Sequence, residues 1–213
     1  MDLNTSKILG GTGALLMFIS ILPYVNRFGS AVWFIGLILI MIGAYGVANH
    51  YREPGIFNNA LYGVVVVIIG LVATVALAFF AFVNIFSDLG LTLSNVSIWE
   101  TMITQITESQ WIDAFFKGAG YIFLTLAVFF AFIVVAAVFF RKSMTATAQK
   151  TGVGLFGTAG MIVLIGAILT IIAFGIILLW ISLLIIAIAF FQIKPEPAPQ
   201  MQPVPPPQPT QQI

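Results

Sequence analysis

Long unbroken apolar runs, not alternating positions, organise this chain. The first covers Ile8–Tyr24 and gives way, after Pro23, to the turn-like stretch Asn26-Arg27-Phe28-Gly29-Ser30. The second is Ala31–Asn49, followed by the polar loop His50-Tyr51-Arg52-Glu53-Pro54-Gly55, whose Pro-Gly pair predicts a turn. The third, Ala60–Phe86, is long enough to cross a bilayer with some tilt, and the fourth, Gly118–Phe140, is expected to stop at Arg141 and Lys142. The last, Val153–Ile193, has 41 residues and no ionisable side chain. As one helix it would measure about 60 Å, twice the roughly 30 Å of a hydrocarbon core. It is therefore expected to fold back near Phe174-Gly175.

Backbone polar groups in hydrocarbon need partners inside their own segment, so each run is expected to be a helix. A transmembrane β-barrel would alternate apolar and polar positions, and these runs do not. The predicted architecture is an all-α, polytopic transmembrane helical bundle of six spans. They fall at about residues 8–24, 31–49, 60–86, 118–140, 153–172 and 175–193.

Composition agrees with that pattern. The chain is 61% hydrophobic and 7% charged, against about 25% charged in an average soluble domain. A surface so poor in charge must face mostly lipid. A formal net charge of +1 gives no support for nucleic-acid binding. With no cysteine, disulfides, thiolate metal sites, Fe–S clusters and cysteine nucleophiles drop out together. His50 is the single histidine, so a multi-histidine haem or metal site cannot be built within the chain, and no cofactor is expected. With the N-terminus inside, Lys7, Arg52, Arg141, Lys142, Lys150 and Lys194 fall on the inner side, against Arg27 and Lys117 outside. That bias predicts cytoplasmic N- and C-termini.

The first run could be read as a signal peptide with Gly29-Ser30-Ala31 as its cleavage region. Asp2 offsets Lys7 in its charged region, which weakens that reading. An internal similarity also counts against it. Shifted by 146 residues, Leu9–Tyr45 aligns without a gap on Leu155–Phe191, with 10 of 37 positions identical. Gly11/Gly157, Thr12/Thr158, Phe28/Phe174 and Gly29/Gly175 are among them, and Phe34 meets Trp180. The two outer hairpins would then be copies of one unit in parallel orientation.

Between spans three and four, residues 87–117 form the most distinctive polar segment, predicted to lie outside. It carries Asp88, Glu100, Glu108 and Asp113 against Lys117. Ser97-Ile98-Trp99-Glu100 has capping-box spacing, and Trp99, Met102, Ile103 and Ile106 follow as an amphipathic stripe. Trp111, Ile112, Phe115 and Phe116 form a second apolar group. An interfacial helix anchored by Trp99 and Trp111 is the favoured expectation over a lid or a partner-docking surface. The acids lack the ligand spacing of a calcium loop, so no metal site is expected.

Gly152-x-Gly154-x-x-Gly157 matches the dinucleotide fingerprint formally, but no strand precedes it and no acid follows before Glu196. Gly154, Gly157 and Gly160, like Gly10, Gly11 and Gly13, read instead as helix-packing positions. His50, Arg52 and Glu53 cluster at the inner end of span two, where a polar interfacial loop is a simpler reading than a proton relay. The spans themselves offer only Ser20, Thr74, Thr125, Thr170 and Ser182, with Asn84 near an end. Pumps and intramembrane enzymes usually bury an ionisable group, so an enzyme is not expected. Residues 194–213, rich in Pro and Gln, predict a disordered or polyproline II cytoplasmic tail. Within it Pro203, Pro205 and Pro206 form a PxxP-type candidate for partner docking, with a simple tether as the alternative.

Three stretches carry a resemblance: Leu9-Gly10-Gly11-Thr12-Gly13-Ala14, Ile56-Phe57-Asn58-Asn59-Ala60-Leu61, and Leu164-Ile165-Gly166-Ala167-Ile168-Leu169-Thr170. Together they resemble an uncharacterised, largely archaeal family of multi-pass membrane proteins, the domain of unknown function 996, over about Leu3–Ile193. The resemblance implies a prokaryotic cell membrane and supplies no activity and no catalytic residues. Two function classes follow from the residues. One is a non-catalytic accessory, scaffold or assembly component, contacting the lipid bilayer and a membrane-protein partner or a second copy. The other is a channel or facilitator for a small neutral or apolar solute, since hydroxyl-lined pores need no buried charge.

Overall fold

The computed structural model describes residues 1–22, 28–91 and 93–194. Pro23 and Arg27 of the first turn, and Pro203, Pro205 and Pro206 of the tail, lie outside the described residues. Those described form α1 (Leu3–Ser20), α2 (Gly29–His50), α3 (Pro54–Asp88), α4 (Trp99–Ile103), α5 (Glu108–Thr151), α6 (Gly154–Leu169) and α7 (Gly175–Phe191). Short 3-10 turns at Leu93–Ile98 and Thr170–Ile172 complete them. The fold is an all-helical bundle. By length and composition α2, α3, α5 and α6 with its 3-10 extension can each cross a membrane, α7 is a shorter apolar helix, and the chain is a membrane protein.

Local chemistry sets the turns. Arg52 takes a left-handed conformation (φ 52) between α2 and α3, and Pro54 then occupies the first helical turn, where its missing N–H is not needed. Gly152 ends α5 in the left-handed region (φ 69), and its N–H donates to the Ala148 carbonyl, which turns the chain straight into α6. The long apolar run folds back through Thr170–Ile172 and Ala173 (φ 62), one residue before the expected Phe174.

Three antiparallel hairpins result: α1/α2, α3/α5 and α6/α7. The second helix of each meets the first helix of the next, α2 against α3, α5 against α6, and α7 back against α1. The bundle is a closed ring of hairpins. All three open at the same, basal end, where the core concentrates. Ile56, Phe156, Phe190 and Ile193, each at most 2% exposed, come from four parts of the ring, and Phe156 meets Phe190 edge to face at 5.1 Å. Glycines let the helices close. A methyl on Gly13 would lie 2.6 Å from the Gly36 carbonyl oxygen, and one on Gly43 would lie 2.6 Å from the Gly10 backbone. Gly10 also receives the Phe190 ring, where a methyl would stand at 2.5 Å.

Several helix ends depart from the sequence reading. α1 starts at Leu3, not Ile8, and α3 starts at Pro54, so the expected Pro-Gly turn is a helix opening. α5 runs from Glu108 to Thr151, well beyond the expected 118–140 at both ends. Arg141 and Lys142 do not stop it, because both point outward while Ser143, Met144 and Thr147 on the same turns are buried. The segment is rich in good helix formers. Its positive charges mark a change of surroundings along the helix, not its end.

The central hairpin outgrows its neighbours. α3 has 35 residues and α5 has 44, about 52 and 66 Å of helix at 1.5 Å per residue. α2, by comparison, has 22 residues. Gly63 faces the Phe140 ring and Gly70 faces Phe132. Farther out, Phe80 meets Tyr121 at 6.3 Å, and Asp88 pairs with Lys117 at 2.7 Å. The hairpin therefore stays paired along its whole length.

Gly13→Ala is expected to force α1 away from α2, since backbone atoms and not a flexible side chain stand in the way. The cost should be about 1–3 kcal/mol, read as a lower melting temperature in detergent. Gly157→Ala, whose methyl would meet only the Ala148 Cβ at 3.8 Å, should melt like the parent.

Candidate functional site

The interior hydroxyls close on their own helices. Ser20 Oγ donates to the Met17 carbonyl at 2.7 Å, Thr74 Oγ1 to Gly70 at 2.7 Å, Thr170 Oγ1 to Gly166 at 2.9 Å and Ser182 Oγ to Leu179 at 2.6 Å. Asn84 Nδ2 likewise donates to the Phe80 carbonyl at 2.8 Å. Thr125 lies half-buried on α5. Such back-bonding satisfies a hydroxyl without a partner helix. Ser143 differs. Its buried Oγ crosses to the Ile56 carbonyl at 2.6 Å, tying the base of α5 to the start of α3. No group of three or more His, Cys, Asp or Glu stands together among the described residues.

Polar side chains gather instead at the two ends. At the basal end Lys150 pairs with Glu53 at 3.1 Å across α5 and α3. His50 is exposed and sits edge-on to the Tyr51 ring at 4.9 Å. Lys7 Nζ donates to the Ile193 carbonyl at 3.2 Å, bridging α1 to the segment just past α7. Beside that bridge lies a cavity of about 630 Å³, with Lys7, Lys194, Gln192 and the Thr151–Leu155 turn in its wall. Sequence reasoning missed this site because Lys7 and Lys194 stand 187 positions apart. A partial signal was the Gly152-x-Gly154 pair, which opens a helix as the dinucleotide motif would but follows a helix rather than a strand.

The distal end carries a small core of its own. Leu89, Leu91 and Ala114 are buried there, with Ile85, Phe86, Trp99, Met102 and Ile106 packed around them. Phe86 meets Trp99 at 5.4 Å. The expected capping box at Ser97 is not formed. Ser97 belongs to the 3-10 turn, and α4 opens at Trp99 with Ile98 as its cap and no side-chain bond. The box sits at Thr107 and Gln110 and opens α5. The amphipathic stripe is accordingly divided, because α4 is only five residues long. Trp99, Met102 and Ile106 turn inward, while Ile103 is exposed. Trp111 is 46% exposed, and Phe115 and Phe116 are 71% and 69% exposed.

The candidate packing glycines separate into two groups. Gly10, Gly11 and Gly13 press on Phe190, Phe191 and α2 respectively, and Gly160 presses on Met144 and Arg141. Gly157 is in ordinary contact, whereas a methyl on Gly154 would meet nothing within 4 Å. Gly154 faces the basal cavity and does not hold helices together.

Residues 32–188 match the family described as a protein of unknown function, DUF996. The chain is also similar to an uncharacterised protein of Methanocaldococcus jannaschii, 25% identical over 196 residues, which is 91% of this chain and 94% of the relative. No solved structure matches it.

Ser143→Ala removes the buried hydrogen bond that ties α5 to the start of α3, while the Ile56 carbonyl keeps its own helical partner, so it should cost about 0.5–1.5 kcal/mol. Asp88→Asn breaks an ion pair whose side chains are both more than half exposed, so it should cost at most about 1 kcal/mol. Thermal melts of the two variants side by side test that order.

Proposed function

We propose a non-catalytic membrane role for this protein, which belongs to the DUF996 family of unknown function. It acts as an accessory, scaffold or assembly component of a membrane complex. The observation that carries this reading is the overlong α3/α5 hairpin. It reaches past the other two hairpins and presents Trp111, Phe115 and Phe116 on a capped, internally packed end. Such an end is built for contact with a partner or a second copy. The self-bonded hydroxyls of Ser20, Thr74, Thr170 and Ser182 favour it over a hydroxyl-lined pore.

In this reading the six long helices are six spans, with both ends of the chain on the cytoplasmic side of a prokaryotic cell membrane. Six basic residues at the basal end, Lys7, Arg52, Arg141, Lys142, Lys150 and Lys194, support that orientation. The first and last hairpins form a parallel repeat. Burial supports it, since Gly10/Phe156, Gly13/Ala159, Ala14/Gly160, Ser20/Gly166, Gly29/Gly175, Gly36/Ser182, Gly43/Ala189 and Ala44/Phe190 are buried in both copies at the 146-residue shift. The ring then places three hairpins around one axis, with the central one extended.

Two experiments test the proposal. Purification from native membranes in mild detergent should retain a stoichiometric partner or a second copy, lost from the Phe115→Ser/Phe116→Ser variant. Vesicles holding the pure protein that swelled faster than empty ones in a neutral solute would favour a channel instead. The chain has no native cysteine, so Glu108→Cys and Lys142→Cys can be labelled singly from either side. Labelling from opposite sides is expected; the same side would overturn six spans.

A further inference from the structure

The basal cavity stands where α1 begins, α5 turns into α6 and α7 ends, and it is open to the outside of the bundle. Among the described residues, two cations line it, Lys7 and Lys194, and no carboxylate does. Glu53, at the same end, is engaged by Lys150. The Lys7 ammonium gives one of its three protons to the Ile193 carbonyl, which holds it at the cavity with two protons to spare. Gln192 and Thr151 add polar groups, while Val153, Leu155 and Phe191 supply an apolar wall.

We infer that this cavity binds a phosphate group, presented by the head group of an anionic membrane lipid. The two lysines in its wall set the sign of the ligand. The apolar wall beside them suits a ligand that is charged at one end and greasy at the other. Gly152 and Gly154 leave the floor of the cavity as bare backbone, and a methyl on either would meet nothing within 4 Å. Helix packing therefore does not require Gly154, and a side chain there would enter space the ligand needs. Gly154 and Leu155, the first two residues of α6, lie in the same wall, and their amides precede the first helical hydrogen bond and add donors. Either leaflet can supply the lipid, so the inference does not depend on which way the basal end faces.

The full chain in detergent, titrated with phosphatidylglycerol or phosphatidylcholine and read by native mass spectrometry, tests this. Phosphatidylglycerol should bind at least tenfold more tightly. Lys7→Gln/Lys194→Gln should lose that preference, and Arg141→Gln/Lys142→Gln, away from the cavity, should keep it. Gly154→Asp is the decisive variant. It places a carboxylate in the cavity, at the first position of α6, where an acid suits the helix. It should abolish the preference while melting no lower than the parent. Equal binding of the two lipids, or an unchanged preference in Gly154→Asp, would overturn the inference. Inorganic phosphate that displaced the lipid at low millimolar concentration would overturn the lipid source.

Discussion

Lipid tails are as apolar as leucine, so a helix gains little by leaving lipid for another helix. Cohesion must come from contact so close that side chains and backbones fill one another's gaps. The three hairpins are three solutions to that constraint. α1 and α2 bring backbone against backbone through Gly10, Gly13, Gly36 and Gly43. α3 and α5 instead fit aromatic rings into glycine notches, Phe140 at Gly63 and Phe132 at Gly70. α6 and α7 bring Gly166 against the backbone at the start of α7 and set Phe156 edge to face with Phe190. The basal core exists because these approaches hold six helix ends together.

How much of this was legible in the sequence depends on what each signal measures. Run length reports the thickness a helix must cross, so the helices and the fold-back near Ala173 could be read directly. Helix ends follow a different rule once a segment leaves hydrocarbon. Ser143, Met144 and Thr147 are not apolar enough to extend a span, yet their small side chains are buried against neighbouring helices and continue α5 past Arg141. Hydropathy is blind to that, because it scores transfer to lipid and not fit to a neighbour. The capping box at Ser97 failed for a related reason. The Thr107–Gln110 box could begin a 44-residue helix, while Ser97 could begin only the five residues of α4. The basal cavity was illegible because proximity of Lys7 and Lys194 is a property of ring closure, which no local pattern encodes.

The unequal hairpins also divide the labour of the molecule. The outer hairpins have helices of 18 and 22 and of 16 and 17 residues, close to the length of about 20 that the thickness of a bilayer requires. The central hairpin exceeds that thickness, and the excess is not left as loose apolar helix. Leu89, Leu91 and Ala114 with Trp99 form a cap, and the Asp88–Lys117 pair clasps the two helices beneath it. An exposed pair of that kind adds little stability, so the packed cap does most to hold the two helices together there.

The seam of the ring is the contact of α7 with α1, which joins the two ends of the chain. At its distal part Trp180 stacks on Phe18 at 4.7 Å and donates from Nε1 to the Phe18 carbonyl at 2.9 Å. Nearer the base Phe190 fills the notch at Gly10. At its base the Lys7–Ile193 hydrogen bond joins α1 to the segment just past α7 beside the basal cavity, next to the buried side chains of Leu3 and Ile193. Any anion seated between Lys7 and Lys194 would sit on that junction and bind the closed ring better than an open one. By linkage it would then stabilise closure by RT ln(1 + [L]/Kd). A ligand bound beside the Lys7–Ile193 bond would therefore act on the closure of the ring itself.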